Sequence, residues 1–64
     1  MLIKIKNEVM TNKVASTLNK YFYVSSKTAK YTIFNLANNM RAALRIGGIC
    51  GKLRIPNNCI LIED

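Results

Sequence analysis

The sequence predicts an α+β fold in the order strand-helix-helix-strand-strand, with two helices packed on a three-stranded antiparallel sheet. Three observations predict it. Residues 2–6 alternate apolar and basic, residues 8–46 place apolar side chains at helical spacing, and the chain's punctuation comes late. The only Pro is Pro56, and the three Gly are Gly47, Gly48 and Gly51. With 64 residues, one small basic domain spanning 1–64 is the ceiling.

The first strand is Leu2-Ile3-Lys4-Ile5-Lys6. Ile3 and Ile5 share one face, Lys4 and Lys6 the other, which is the period of a half-buried strand. Residues 8–22 read as a helix. Met10, Val14, Leu18 and Tyr21 make its apolar face, widened by Ala15 and Phe22. Asn7 or Thr11 can cap its start. Ser25 and Ser26 are N-cap candidates for a second helix running to about Ile46, closed by Gly47 in the left-handed conformation. On it, Ala29, Ile33, Leu36, Met40, Ala43 and Leu44 gather on one side. Lys27, Lys30, Phe34, Asn38, Arg41 and Arg45 gather on another, within an arc of roughly 80°. Asn38-Asn39 is its weak point, because Asn is a poor helix former. Residues 52–55 and 59–63 then read as a hairpin: with a two-residue turn at Asn57-Asn58 Lys52 faces Glu63, and with a three-residue loop at Pro56-Asn57-Asn58 Leu53 faces Leu61 instead. The first strand can pair with the last.

Composition narrows the function. Ten Lys and Arg face three acids, and there is no His, giving a net charge of +7. The acids are Glu8, Glu63 and Asp64, so residues 9–62 carry no carboxylate side chain. General acid–base and two-carboxylate chemistry lack their usual residues. Two Cys without His are too few for a metal site. The expectation is a binding protein, not an enzyme, with no cofactor and no metal. No apolar run exceeds four residues, whereas a membrane span needs about 20. The expected location is the cytoplasm, with no membrane partner. Abundant Lys, Asn and Ile fit an A/T-rich gene of a bacterium, phage or plasmid.

The second helix carries the strongest functional signal. Arg can bond guanine and Asn adenine through paired hydrogen bonds, while Lys neutralises phosphate. Phe34 among these cations can stack on a base, or it can pack in the core or against a second subunit. Tyr31 lies to the side, and Ser25 to Thr28 offer helix-start N–H groups. The alternative is a solvated helix face, but such faces normally mix signs. The clustered Gly read as a flexible connection, and Tyr21, Phe22 and Tyr23 as packing.

Val14-Ala15-Ser16-Thr17-Leu18 followed by Val24-Ser25-Ser26-Lys27-Thr28-Ala29 resembles a helix-turn-helix. With the hairpin behind it, the chain resembles the winged helix-turn-helix family. The spacing is about four residues longer than in a tight bacterial turn, and the family's leading helix is missing. The resemblance implies that Ser25, Ser26, Lys27, Thr28, Lys30 and Tyr31 enter the major groove. Lys52 and Arg54 would be wing cations. The expected function is therefore that of a small DNA-binding regulator, acting on duplex DNA and able to form a homodimer. The candidate interface comprises those residues with Phe34, Asn38, Arg41 and Arg45. The competing reading is a phage- or plasmid-type inhibitor or adaptor that docks on an acidic surface of a host protein. RNA ranks lower, because no RNP-like aromatic strand or GXXG loop is visible.

Overall fold

The computed structural model describes residues 1–63, and its element order departs from the sequence expectation. Strand β1 is Leu2–Lys6, helix α1 is Asn12–Tyr21, and strands β2 (Tyr23–Lys27) and β3 (Tyr31–Asn35) follow. Helices α2 (Met40–Ala43) and α3 (Ile46–Lys52) precede strand β4 (Ile60–Glu63). Short 3-10 turns lie at Asn7–Val9, Leu36–Asn38 and Asn57–Cys59. The sheet is antiparallel in the order β2-β3-β1-β4. Each helical connection passes over one intervening strand, which is a split β-α-β arrangement.

Strand β1 behaves as its alternation predicts. Ile3 and Ile5 are fully buried, while Lys4 and Lys6 point to the other side of the sheet. It pairs with β4, so the expected contact of first and last strands is present. Helix α1 starts at Thr11, whose Oγ1 accepts the Val14 N–H at 3.3 Å. That settles the choice between Asn7 and Thr11. Val14 and Leu18 are its buried face, and Phe22 at its end is 2% exposed.

The predicted second helix over residues 25–46 is corrected. Its first half is the β2–β3 hairpin. Tyr31-Thr32-Ile33-Phe34 is a run of aromatic and β-branched residues, which fit a pleated strand better than a helix. Thr28 closes the turn, its N–H donating to the Tyr31 carbonyl at 2.8 Å and its Oγ1 accepting the Tyr31 N–H at 2.9 Å. Asn7 clamps this turn from outside. Its Nδ2 donates to the carbonyls of Thr28 and Ala29, and its Oδ1 accepts from Thr32 Oγ1. The second half of the predicted helix breaks at Asn39, which caps α2 by accepting the Ala42 N–H at 3.1 Å.

The predicted C-terminal hairpin is corrected too. Gly47, Gly48 and Gly51 are inside α3, and residues 52–55 are not a strand. The helix ends in a Schellman motif: Ile55 N–H reaches the Cys50 carbonyl and Arg54 N–H the Gly51 carbonyl. Arg54 takes the left-handed conformation there, at φ 57°. Lys52 does not face Glu63; Glu63 pairs with Lys4 at 2.9 Å. The sheet thus has four strands, not three.

The core lies between the sheet and the helices. Ile3, Ile5, Leu18, Phe34 and Leu36 are its most deeply buried large side chains. Cys50 and Cys59 are both buried and free, and burial pushes the Cys50 thiol above its ordinary pKa. No helix of the described residues is long and apolar enough to cross a membrane.

Candidate nucleic-acid interface

The basic residues divide between two faces. The first is the outer surface of the helices. On α1, Lys13, Thr17 and Tyr21 recur every four residues, so they stack along the flank beside the buried Val14–Leu18 stripe. This flank meets Ile49, Lys52 and Leu53 of α3 and its cap, and together they line a cleft of about 280 Å³. A second cleft of about 460 Å³ is lined by Tyr21, Asn39, Arg41, Ala42, Leu44 and Arg45. Tyr21 belongs to both. Lys13 and Lys52 therefore stand on one side of an exposed tyrosine, Arg41 and Arg45 on the other. Neither lining contains a carboxylate.

Local structure holds this arrangement. Asn39 Nδ2 donates to the Tyr21 carbonyl at 3.2 Å, tying the end of α1 to the start of α2. The Tyr21 ring leans on that of Phe22, with centroids 6.3 Å apart and a 53° tilt. Phe22 is in the core, so Tyr21 is anchored while remaining 41% exposed as a residue. Lys20 lies next to it, in the last turn of α1. An anion approaching here meets cations from several directions and an aromatic face between them, which suits phosphate flanked by a base.

The second face is the side of the sheet away from the helices. Strand register puts Tyr23, Asn35 and Leu2 in one row, Ser26, Ile33, Lys4 and Leu61 in the next, and Tyr31 opposite Lys6 beyond. Tyr23 is exposed, and Tyr31 and both lysines are half-buried. Lys4 is already engaged by Glu63, and at the centre of the face it lies between the apolar Ile33 and Leu61. This face is thus more mixed than the helix side. Glu8 sits in the Asn7–Val9 turn, with Cys59 Sγ 3.9 Å from its Oε1.

The sequence-predicted residues split accordingly. Arg41, Arg45 and Lys52 meet on the helix side. Ser25, Ser26 and Lys27 are on the exposed edge strand β2, and Thr28 and Lys30 are at the hairpin turn. Tyr31 opens β3. They form no recognition helix, because the segment is extended. Phe34 is 1% exposed and is a core residue, which resolves its two readings. Asn38 is exposed beside Lys20, Tyr21 and Tyr23. Arg54 is exposed at the α3 cap and belongs to no wing. Sequence reading missed Lys13, Lys20 and Tyr21. The signal for Lys13 and Tyr21 was their four-residue spacing through Thr17 along α1, a series that does not include Lys20. Comparison with protein-family models, curated proteins and solved structures finds no match to this chain.

Proposed function

We propose that this protein binds nucleic acid through the phosphate backbone, using the outer face of its helices, with duplex DNA as the preferred ligand. The observation that carries the reading is the pair of carboxylate-free clefts joined at Tyr21, with Lys13, Lys52, Arg41 and Arg45 around it. Phosphate contacts dominate affinity and carry no sequence information by themselves. The longest helix on this face is the ten-residue α1, which carries only two cations, Lys13 in its first turn and Lys20 in its last, and groove-edge reading is not part of the proposal. The role is regulatory binding in the cytoplasm rather than catalysis.

Fluorescence anisotropy with duplex DNA, single-stranded DNA and RNA, at about 50 and about 200 mM salt, tests it. Duplex binding should be clear at the lower salt and fall steeply at the higher. Absent duplex binding at the lower salt sinks the proposal.

A second reading has its own support. Leu44 is 85% exposed and Met40 59%, both on or next to α2 beside Arg41 and Arg45. Apolar anchors among cations suit an acidic protein surface, as in the inhibitor or adaptor alternative. There, Leu44→Ala and Tyr21→Ala would weaken partner capture more than Lys13→Ala. Phosphate binding gives the opposite ranking.

A further inference from the structure

The sheet has two edge strands, and they differ. Strand β2 is interrupted by a bulge between Val24 and Ser26, and it carries Ser25, Ser26 and Lys27. Bulges and lysines are the usual devices that stop an edge from pairing with another chain. Strand β4 has neither. Its register with β1 is unbroken from Ile60 to Glu63, and it contains no Lys, Arg or Pro. Leu61 is 47% exposed and Ile62 53%. Beside it, between the sheet and α3, runs an apolar cleft of about 390 Å³ lined by residues including Ile46, Cys50, Ile55, Ile60 and Ile62.

We infer that β4 pairs with the β4 of a second copy, joining two sheets into one. Sequence symmetry selects that occupant. Ile60-Leu61-Ile62 reads the same in both directions. An antiparallel pairing centred on Leu61 sets Leu61 against the second copy's Leu61 on the open side. It sets Ile60 against Ile62, twice, on the helix side, because those residues share the faces of Ile5 and Ile3. The three cross-strand pairs made by Ile60, Leu61 and Ile62 are then apolar on apolar, and Glu63 falls beyond them, opposite the second copy's Cys59. Charge selects the same edge. Two chains of +7 repel, and β4 is a strand free of cations whose neighbour Lys4 is neutralised by Glu63. The two-fold axis runs through the sheet, so both helix layers lie on one side. The two basic faces then stand next to each other, which raises their joint avidity for a long polyanion. The pairing itself does not depend on nucleic-acid binding.

The test uses the full chain without nucleic acid. Sedimentation equilibrium between about 1 µM and about 1 mM, a range that spans weak to moderate association, should show a species of twice the chain mass. Leu61→Lys should raise the dimer dissociation constant at least about 100-fold while circular dichroism stays unchanged. Leu61→Cys, oxidised with glutathione disulfide, should give a covalent dimer. Directly opposed residues have Cα atoms within disulfide reach, and Cys50 and Cys59 are buried. Tyr23→Cys, on the bulged edge, should not cross-link. A monomer at the highest concentration, an undiminished Leu61→Lys dimer, or equal cross-linking of Tyr23→Cys overturns the inference. A monomer that still binds duplex DNA would leave the proposed function standing.

Discussion

Arg54 is the clearest place where the chain departs from its own local chemistry. It holds the left-handed C′ position of the α3 cap, at φ 57°, where glycine is the usual occupant. The conformation costs an L-residue roughly 1–2 kcal/mol through the clash of Cβ with the backbone. Arg54→Gly removes that cost. It also adds backbone freedom to the unfolded chain, worth roughly 0.5–1 kcal/mol in the opposite direction. The side chain is exposed and has no ion-pair partner among the described residues, so little else changes. The expected net gain is about 0.5–1 kcal/mol. Urea unfolding followed by circular dichroism should show a higher midpoint at the same slope. Melting should rise by about 2–8 °C, given about 4–8 °C per kcal/mol for a domain this small. Arg54→Ala is the control. It removes the guanidinium but keeps Cβ, so its midpoint should stay close to the parent's. An unchanged or lowered midpoint for Arg54→Gly, or an equal gain in Arg54→Ala, would refute the cap geometry.

Other substitutions probe the remaining joints. A Cβ on Gly48 would meet nothing within 4 Å, so Gly48→Ala inside α3 should stabilise by about 0.5–1 kcal/mol in the same urea assay. Phe34→Ala should cost about 3–5 kcal/mol, most of what a domain this small has, and its calorimetric transition should be largely lost. Asn39→Ala removes the α2 cap and the tie to Tyr21, costing about 1–2 kcal/mol; nuclear magnetic resonance relaxation should show a more mobile Tyr21. Burial holds the Cys50 thiol neutral beyond the pH at which the unfolded chain ionises. Unfolded molecules then bind fewer protons than folded ones, so stability should fall as pH rises past about 8.5. Cys50→Ala should lack that part of the decline.

Elements with a single strong period were legible in the sequence. The alternation of residues 2–6 and the four-residue spacing of Val14 and Leu18 each allow one structure, and both formed. Strand β4 and its pairing with β1 were also readable. Residues 25–46 were not, because two periods compete there. Ala29, Ile33 and Leu36 fit a helix stripe, yet Thr32 and Phe34 are buried on one side of β3 and Ile33 lies on the other. The β-preference of Tyr31 to Phe34 and the clamp from Asn7, more than twenty residues away, decide the outcome. That clamp is a tertiary contact with no local signature. The glycines misled for a related reason. They mark turns by propensity, but Ile46, Ile49 and Cys50 pack the same segment against the core as a helix. At the interface, Arg41, Arg45 and Lys52 were identified as cations, while their meeting with Lys13 and Tyr21 depends on how α1, α2 and α3 pack.

The basic helix face is tested most directly by the salt dependence of duplex binding in two sets of variants. If Lys13, Lys20, Arg41, Arg45 and Lys52 all contact phosphate, the slope of log K against log salt is about −4.5. The triple variant Lys13→Ala, Arg45→Ala, Lys52→Ala should bring it to about −2, since each contact contributes about −0.9. Lys4→Ala with Lys6→Ala and Lys30→Ala, on the sheet side and hairpin turn, should leave the slope unchanged. A slope that drops with the second set and survives the first would contradict the account and move the ligand to the open face of the sheet.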